Sequence, residues 1–273
     1  MEYRPNTSMI FNQLQRILPA RRLYAVNRFL FRYALRGLGF NNWRNLEESG
    51  EAWVVRHVLP KLSIGTAPIF LDVGANSGDY STMLLARFPQ AAIHAFEPHP
   101  RTFETLKQNM KPNVKCHPVA LGSENGVFNL YDRGGDDGGI RASLAKEALE
   151  TVQSKPLTAY EVTVSTLDEF LQEQNIQHVD FIKIDTEGFE MDVLQGGRGS
   201  LAAGKVGAIQ FEFNDVHFAR RQFLADFQSV LPGHRLYRIL RDGLVPLDLL
   251  SVAEREVFTF QNILAWPLTA APL

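Results

Sequence analysis

Short apolar runs separated by helical stretches constrain the fold of this 273-residue chain more than any other feature of its sequence. The runs lie at 69–73 (IFLDV), 92–98 (AIHAFEP), 179–185 (VDFIKID) and 208–214 (AIQFEFN), and each has the length of a strand rather than a helix. Helix-forming stretches separate them. Largely apolar strands that alternate with helices are typical of a sheet covered on both faces. The sequence therefore predicts an α/β fold with a doubly wound, mostly parallel sheet.

The composition excludes several classes of protein. Hydrophobic residues make up 45% of the chain and charged residues 21%, which excludes a mainly disordered chain. No run of about 18 uncharged apolar residues exists, so no transmembrane segment is expected. The single cysteine, Cys116, excludes an intramolecular disulfide framework and a cysteine-rich zinc site.

Charge is distributed unevenly along the chain. Residues 1–46 contain eight arginines and one acidic residue, Glu2, whereas the whole chain has a net charge of −2. The rest of the chain is therefore acidic, which is not the electrostatic footprint of a nucleic-acid-binding fold. We predict two parts, a basic amphipathic N-terminal helical extension at 1–46 and an α/β domain at 47–268, with no nucleic acid among the partners.

The extension contains a predicted amphipathic helix at 16–38. One stripe of it carries arginines, and the opposite side is apolar: Arg21, Arg28, Arg32 and Arg36 against Leu23, Val26, Leu30 and Ala34. We expect the apolar side to pack on the domain and the arginines to face solvent. Peripheral contact with a membrane surface is the alternative. The expected location is the cytoplasm, either free or peripheral at the membrane.

Carboxylates stand at or just after the ends of the predicted parallel strands. They are Asp72, Glu97, Asp185 with Glu187, and Glu212. In doubly wound sheets, ligands bind at the carboxyl ends of the strands, near the point where the strand order reverses. We therefore expect these acids to form one site.

The turn after the first strand indicates which ligand this site takes. Gly74 and Gly78 allow a ligand to approach the backbone, and Asn76 tolerates a left-handed conformation. Glu97, at the end of the next strand, is placed to accept hydrogen bonds from both hydroxyl groups of a ribose. The pattern favours an adenosine-like nucleoside.

The spacing of the glycines distinguishes between nucleoside cofactors. A dinucleotide site has the spacing G-x-G-x-x-G, with its pyrophosphate on a helix N-terminus. This chain has G-x-x-x-G instead, and the carboxylate of Asp79 at the helix start would repel a pyrophosphate. A cofactor with a cationic sulfonium and no phosphate fits better, which favours S-adenosylmethionine over the nicotinamide cofactor of an oxidoreductase.

Five segments of the chain, in this order, resemble the FkbM-type family of S-adenosylmethionine-dependent methyltransferases. They are FLDVGANSGDYS, AFEPHP, VALGSENG, VSTLDEF and FIKIDTEGFEMDVLQGG, and the resemblance covers roughly residues 49–215. It implies a class I, Rossmann-like methyltransferase fold. It also implies O-methylation of a hydroxyl on a sugar, glycan or natural-product acceptor. A catalytically inactive cofactor-binding scaffold at a membrane surface is the alternative.

The resemblance also implies roles for individual residues. The cofactor would be bound by the first turn, by the end of the second predicted strand and by the third predicted strand, at 113–121. The residues are Asp72, Gly74, Ala75, Asn76, Gly78, Glu97, Pro98, Ala120 and Leu121. The motif after the strand at 179–185, with Asp185, Glu187 and Gly188, would face the transferred methyl group. Glu212, the acid at the end of the next strand, is a further candidate catalytic residue on its position alone.

Methylation of an alcohol needs a group that accepts the hydroxyl proton. Asp185 and Glu187 would both reach the site if the chain continued extended past its strand, and paired acids raise each other's pKa. His217 is a second candidate for the base, although a structural role is the commoner one for such a histidine. Asp185, Glu212 and Asn214 would also suit Mg²⁺, as an alternative that we do not favour.

Overall fold

The computed structural model describes residues 18–62, 65–132, 142–144 and 157–273. Its strands are β1 (Ile69–Val73), β2 (Ala92–Phe96), β3 (Val114–His117), β4 (Ala120–Gly122), β5 (Gly126–Asp132), β6 (Thr158–Thr166), β7 (Val179–Ile184), β8 (Val206–Phe213), β9 (His234–Leu240), β10 (Gly243–Pro246) and β11 (Gln261–Pro267). Its α-helices of four or more residues are α1 (Tyr24–Gly37), α2 (Asp79–Arg87), α3 (Pro100–Asn109), α4 (Leu167–Glu173), α5 (Glu190–Gly196), α6 (Arg198–Ala202), α7 (Asp215–Ala219), α8 (Leu224–Val230) and α9 (Val252–Arg255). Short helical turns also run from Glu51 to Lys61.

The central sheet has the order β10-β9-β11-β8-β7-β1-β2-β3. The strands β3, β2, β1, β7 and β8 are parallel to one another, and β11, β9 and β10 extend the sheet antiparallel. The order reverses between β1 and β7, because the chain first winds to one side of β1 and later returns to the other. This confirms the predicted doubly wound, mostly parallel α/β fold.

Alternate residues of the central strands pack on opposite faces of the sheet. On β1, Phe70 joins the cluster that contains Val58 and Leu84, whereas Leu71 joins the cluster that contains Leu194 and Phe227. Burial of each such side chain stabilises the fold by about 1.5–3 kcal/mol. The helices therefore cover both faces, and the carboxyl ends of the parallel strands stay open for a ligand.

The third predicted strand is divided in the structure. Residues 114–117 form β3 at the edge of the central sheet, and residues 120–122 form β4 in a separate three-stranded sheet of order β4-β6-β5. Pro118 lies between the two and has no backbone N–H group to continue the ladder. Ala120 and Leu121 therefore belong to the small sheet, beside the carboxyl end of β2.

The N-terminal helix does not pack on the domain. In the described part, α1 follows a short turn at Arg21–Leu23, and none of its residues is buried. The expectation that its apolar side packs on the domain is therefore wrong. Residues 1–17, where the predicted helix begins, and the glycine-rich loop at 134–139 lie outside the described residues. Within the described chain, no helix combines the length and the apolar character needed to cross a bilayer.

Gly74 forms the contact at the point where the strand order reverses. It follows β1 with φ at 81°, and a Cβ atom there would lie 1.8 Å from the carbonyl oxygen of Asp185, which follows β7. The Gly74 N–H donates to the carbonyl of Phe96 over 3.0 Å. Only glycine allows this backbone to close on both neighbouring strands.

We expect Gly74→Ala to destabilise the protein more than Gly204→Ala. Gly204 also has a positive φ, 65°, but its Cβ atom would meet no other atom within 4 Å. Gly204→Ala therefore carries only the backbone strain of about 1–2 kcal/mol, whereas Gly74→Ala adds a steric overlap of about 1–3 kcal/mol. Urea denaturation followed by circular dichroism measures both. Equal losses would contradict the close contact at Gly74.

Candidate active site

A cavity of about 670 Å³ lies at the carboxyl ends of the parallel strands, within the size range of small-molecule sites. The structure brings together at this cavity all of the sequence-predicted site residues except Gly78: Asp72, Gly74, Ala75, Asn76, Glu97, Pro98, Ala120, Leu121, Asp185, Glu187 and Glu212. Gly78 lies outside the lining, where a Cβ atom would lie 2.3 Å from Met110 and 2.9 Å from Leu106. Gly78 has a positive φ, and it packs against these two side chains on the side of the loop that does not line the cavity.

Glu97 holds the glycine-rich loop against the end of β2. Its carboxylate accepts hydrogen bonds from the backbone N–H groups of Asn76, at 3.0 Å, and His99, at 2.8 Å. Asn76 is in the left-handed conformation that the sequence indicated. Burial raises the pKa of Glu97 to about 7, although the two N–H donors oppose this shift. Glu97 therefore titrates near neutral pH at the cavity wall.

Asp72 is buried on β1 and has unused acceptor capacity. Its Oδ2 accepts a hydrogen bond of 2.6 Å from the Ser81 hydroxyl, whereas Oδ1 contacts no donor in the described part of the chain. Burial raises the pKa of Asp72, and the Lys183 ammonium and Ser81 oppose that shift. Buried polar atoms in proteins are almost always paired, so Oδ1 points to a ligand donor.

Lys183 is the cation around which the acids of the site gather. Its Nζ lies 2.7 Å from Oδ2 of Asp185 and 4.0 Å from Oε1 of Glu51, and Lys183 is the register partner of Asp72 on β1. Burial alone would lower the pKa of Lys183, but Asp185, Glu51 and Asp72 together raise it. Lys183 is therefore a charged, buried ammonium group.

Glu51 is a site residue that the sequence did not reveal. Its Oε1 accepts from the Gln210 amide at 3.0 Å, and the Tyr80 hydroxyl donates to Gln210 at 3.1 Å. Burial raises the pKa of Glu51, with Lys183 opposing. Glu51 is far from the other site residues in the chain, and a glutamate at the start of a helix is an ordinary feature. Its position in the sequence therefore carried no signal.

The loop after β7 turns sharply instead of continuing extended. Strand β7 ends at Ile184, Glu187 has φ at 51°, and Gly188 has φ at 104°. The assumption that an extended chain brings Asp185 and Glu187 to the site is therefore wrong. Both residues still line the cavity, because the tight turn directs the chain back across it. The Ser143 hydroxyl donates to the carbonyl of Glu187 over 2.7 Å.

Glu190, which sequence reasoning also missed, holds this turn in place. Its fully buried carboxylate accepts from the backbone N–H groups of Thr186, at 2.7 Å, and Gly188, at 3.0 Å. The Nε2 atom of His217 lies 3.0 Å from its second oxygen. Burial alone would raise the pKa of Glu190, but His217 and the backbone donors lower it. Glu190 therefore uses its acceptors to fix the loop.

His217 is a structural residue and not the base that was considered. It is fully buried, and its Nδ1 accepts from the backbone N–H of Asn214 over 3.2 Å while Nε2 faces Glu190. The ring stacks on Phe213 with centroids 4.7 Å apart. None of these contacts reaches the cavity, whose lining does not include His217.

Glu212, at the end of β8, is the acid with unused basicity. Burial raises its pKa well above the ordinary value, and repulsion from Asp185, Glu187 and Glu190 raises it further. The Asn214 amide donates a hydrogen bond to Glu212 and opposes the shift only in part. The expected pKa elevation between paired acids thus acts on Glu212.

The alternative of a magnesium site loses one of its ligands. The Oδ1 atom of Asn214 accepts from the backbone N–H of Val216 over 3.0 Å and caps α7, so it is committed to the fold. Asp185 has the Lys183 ammonium as its cation. Among the residues that the structure describes, no group of three or more His, Cys, Asp or Glu side chains is arranged to hold a metal ion.

The open side of the cavity is built from both ends of the chain. It is lined by Asn41, Trp43, Thr259, Phe260 and Asn262. The backbone N–H of Asn41 donates to the carbonyl of Phe260 over 2.9 Å, which joins the N-terminal segment to the chain that leads into β11. Asn262 is 4% exposed, and its Nδ2 has no partner among the described residues. This donor faces the same cavity as Glu212, its register partner on β8.

We expect Glu190→Gln to lower the free energy of unfolding at neutral pH by about 3 kcal/mol, because it removes one partner of a buried charged network. The lowered pKa of Glu190 means that its carboxylate stabilises the fold at pH values above its unfolded-state pKa. This contribution is lost as the pH falls through the folded-state pKa. The gap between wild type and variant should therefore narrow in acid.

Urea denaturation at several pH values measures this gap. Glu173→Gln is the matched control, since Glu173 is exposed at the end of α4 and should show no such gap. A Glu190→Gln protein as stable as the wild type at neutral pH would contradict the role of Glu190 in holding the loop.

Known proteins share this sequence pattern over most of the domain. Residues 72–241 match the profile of the Methyltransferase FkbM domain. The 2-O-methyltransferase NoeI of Sinorhizobium fredii is 28% identical over 181 residues, which cover 62% of this chain and 73% of NoeI. Methyltransferase 1 of Beauveria bassiana is 33% identical over 141 residues, 46% of this chain and 57% of that protein. The hexuronic acid methyltransferase AglP of Haloferax volcanii is 25% identical over 178 residues, 64% of this chain and 66% of AglP.

A solved structure is also similar. The crystal structure of Methyltransferase FkbM from Methylobacillus flagellatus KT has 13% sequence identity and a TM-score of 0.48, and the match covers 79% of this chain and 48% of that one. The domain match includes the glycine-rich loop, the acids after β2, β7 and β8, and the loop that Glu190 fixes. The chain therefore belongs to the FkbM family of methyltransferases.

Proposed function

We propose that this protein transfers a methyl group from S-adenosylmethionine to a hydroxyl group of a sugar, glycan or natural-product acceptor. The observation that carries the proposal is one cavity with two chemically different sides. Asp72 and Glu97 lie on one side, at the ends of β1 and β2. Glu212 and the unpartnered amide of Asn262 lie on the other, on β8 and β11.

The first side fits the cofactor. Oδ1 of Asp72 is a buried acceptor without a donor among the described residues, which suits a donor such as an amine, and the carboxylates of the cavity attract a sulfonium by charge. Glu97 places a carboxylate where two ribose hydroxyls can donate to it. Ala120 and Leu121 add apolar wall beside Pro98, which suits a planar base. When bound, S-adenosylmethionine supplies an electrophilic methyl group on a cationic sulfonium.

The acids of the site favour this cofactor over a nicotinamide dinucleotide. Asp79 begins α2 and lines the cavity, so its carboxylate occupies the helix N-terminus where a pyrophosphate would bind. Asp72, Glu97 and Asp185 add further negative charge around the same cavity. A cation is attracted to this mouth and a phosphate is repelled.

The acceptor class is proposed from the second side and from two relatives. NoeI is named a 2-O-methyltransferase and AglP a hexuronic acid methyltransferase. In this chain, the Asn262 amide can donate to an acceptor oxygen, and the half-exposed Trp43 ring offers an apolar face for a sugar ring. Both residues lie outside the matched residues 72–241, so the ends of the chain contribute to this side together with Glu212.

We assign the proton-accepting step to Glu212. A methylated hydroxyl oxygen must lose its proton as the new bond forms, and a carboxylate with a raised pKa is a stronger base for that proton. Asp185 is held by Lys183 and lines the cavity beside Glu212, so it orients the hydroxyl group. Glu187 adds negative charge that keeps the pKa of Glu212 high. Alignment of the two reactants supplies the rest of the acceleration.

The affinity for S-adenosylhomocysteine, the demethylated product, should depend on pH through Glu97. The ribose hydroxyls need the ionised carboxylate, and burial places the pKa of Glu97 at about 7. The affinity should therefore rise about tenfold between pH 6 and pH 8. Titration calorimetry measures this affinity. We expect a dissociation constant in the micromolar range, which corresponds to a binding free energy on the order of −8 kcal/mol.

Glu97→Gln is the informative variant for that experiment. It should weaken binding by about 1.5–3 kcal/mol and abolish the dependence on pH. Glu173→Gln should behave as the wild type. A pH-independent affinity in the wild type would contradict the role of Glu97, and tight NADH binding without S-adenosylhomocysteine binding would overturn the cofactor proposal.

Turnover should rise with pH through the pKa of Glu212, because only the ionised form accepts the proton. Glu212→Gln should lower turnover by about 100-fold or more and remove this dependence, while S-adenosylhomocysteine still binds. The assay uses S-adenosylmethionine with an isotopically labelled methyl group and a panel of free sugars and hexuronic acids. Label on a sugar oxygen supports the acceptor class.

Two outcomes would change the assignment. Loss of turnover with EDTA and recovery with Mg²⁺ would establish the metal alternative at Asp185 and Glu212. Binding of the cofactor without methylation of any acceptor in the panel, in wild type as well as in Glu212→Gln, would favour the inactive scaffold.

A further inference from the structure

The helix α1 exposes apolar and aromatic side chains that nothing in the described chain covers. Phe29 is 66% exposed and Tyr33 73% exposed, and no residue of the helix is buried. The other large exposed side chains of the helix are Tyr24, Val26, Leu30 and Phe31. Single exposed apolar residues are ordinary, but a set that shares one side of a helix marks an interaction surface.

The helix is nevertheless fixed to the domain at its C-terminal end. Phe40 is buried, and the Arg238 guanidinium lies 4.1 Å from the centre of its ring. The next residue, Asn41, donates its backbone N–H to Phe260. Gly39 has φ at 91°, and a Cβ atom there would lie 2.5 Å from the Leu240 side chain. The helix therefore leaves the domain at a defined point.

The exposed residues are sorted by face. Val26, Phe29, Leu30 and Tyr33 share one side of α1, where Phe29 and Tyr33 stack with centroids 6.4 Å apart. A row of arginines at a spacing of four residues borders this side: Arg28, Arg32 and Arg36. Residues 18–46 contain no acidic residue at all, so the row is not neutralised locally.

We propose that α1 docks on an anionic lipid bilayer, with its apolar face in the headgroup region and its arginines on lipid phosphates. An apolar face that carries aromatic rings and is bordered by basic residues has the character of an interfacial helix. Each basic residue near an anionic surface strengthens such binding. The helix lies on the membrane and does not span it.

Charge argues against two other partners for the apolar face of α1, namely a second copy of the chain and residues 1–17. A second copy of the chain would bring the same arginine row against itself, and like charges repel. Residues 1–17 carry Arg4, Arg16 and a single acid, Glu2, so this segment has no net negative charge to match the row. An anionic lipid surface supplies both the apolar layer and the negative charge.

Docking has a consequence for the cavity. Trp43 follows α1 closely, is 60% exposed and lines the open side of the cavity. A bilayer that holds α1 is therefore only a few residues along the chain from a side chain that lines the cavity. This inference does not depend on the proposed methyl acceptor, since it concerns only where the protein binds.

Sedimentation of the full-length protein with vesicles tests the proposal. We expect it to pellet with vesicles of phosphatidylcholine mixed with phosphatidylglycerol, to pellet much less with phosphatidylcholine alone, and to be released in part by high salt. The triple variant Arg28→Glu/Arg32→Glu/Arg36→Glu should bind at least about 100-fold more weakly. Phe29→Ser/Tyr33→Ser should also bind more weakly, including at low salt.

A matched charge reversal on the domain is the control. Lys107, Lys111 and Lys115 are exposed on or near α3, and their change to glutamate alters the net charge by the same amount. This control should keep most of the vesicle binding. If the control lost as much vesicle binding as the arginine variant, net charge alone would explain the binding, and the proposal would be overturned.

Two further measurements test whether the apolar face of α1 instead binds a second copy of the chain or packs on this chain. A concentration-dependent dimer in analytical ultracentrifugation that Phe29→Ser/Tyr33→Ser abolishes would assign the face to a second copy. A marked fall in the urea midpoint of the same variant would show that the face packs on this chain. Either result, like absence from the vesicle pellet at low salt, would overturn membrane docking.

Discussion

The buried ammonium group of Lys183 is the interaction on which the site depends. Without it, Asp72, Asp185 and Glu51 would place their charges around one buried point with no cation among them. Removal of one partner from such a group costs several kcal/mol, because the remaining charges stay desolvated. Lys183 reaches these acids because β7 lies beside β1 at the reversal of strand order, where the register pairs it with Asp72. The same adjacency requires glycine at position 74, so one point of the fold sets both the electrostatics and the backbone of the site.

Two buried glutamates, Glu190 and Glu212, show how the surroundings of a carboxylate separate its roles. Glu190 accepts from two backbone N–H groups and faces His217, which lowers its pKa and commits it to the fold of the loop. Burial raises the pKa of Glu212, repulsion from three acids raises it further, and its single amide donor opposes this only in part. The first holds the turn at Glu187 and Gly188, and the second keeps its capacity to accept a proton. The difference lies in the number of donors that each carboxylate meets.

The two ends of the chain contribute to the cavity from outside the matched residues 72–241. In the N-terminal segment, Phe40 is buried and the backbone N–H of Asn41 donates to the carbonyl of Phe260, just before β11. Together they close one side of the cavity and place Trp43 and Asn262 on it. The helix α1 leaves from the same point, with its apolar face unburied. Part of the cavity lining thus comes from segments outside the matched residues 72–241.

The sequence by itself determined the fold class and the main acids of the site. Apolar strands of fixed length alternate with helices, and strand ends in a parallel sheet meet at one edge, so Asp72, Glu97, Asp185 and Glu212 could be placed together from the pattern alone. Only the tertiary structure decided what depends on contacts distant in the chain. Glu51 enters the site across a long separation in sequence, Pro118 divides the third strand between two sheets, and Gly78 packs behind its loop. The exposure of the apolar face of α1 was also decided only by the tertiary structure, because an amphipathic pattern specifies an apolar side and does not specify what covers it.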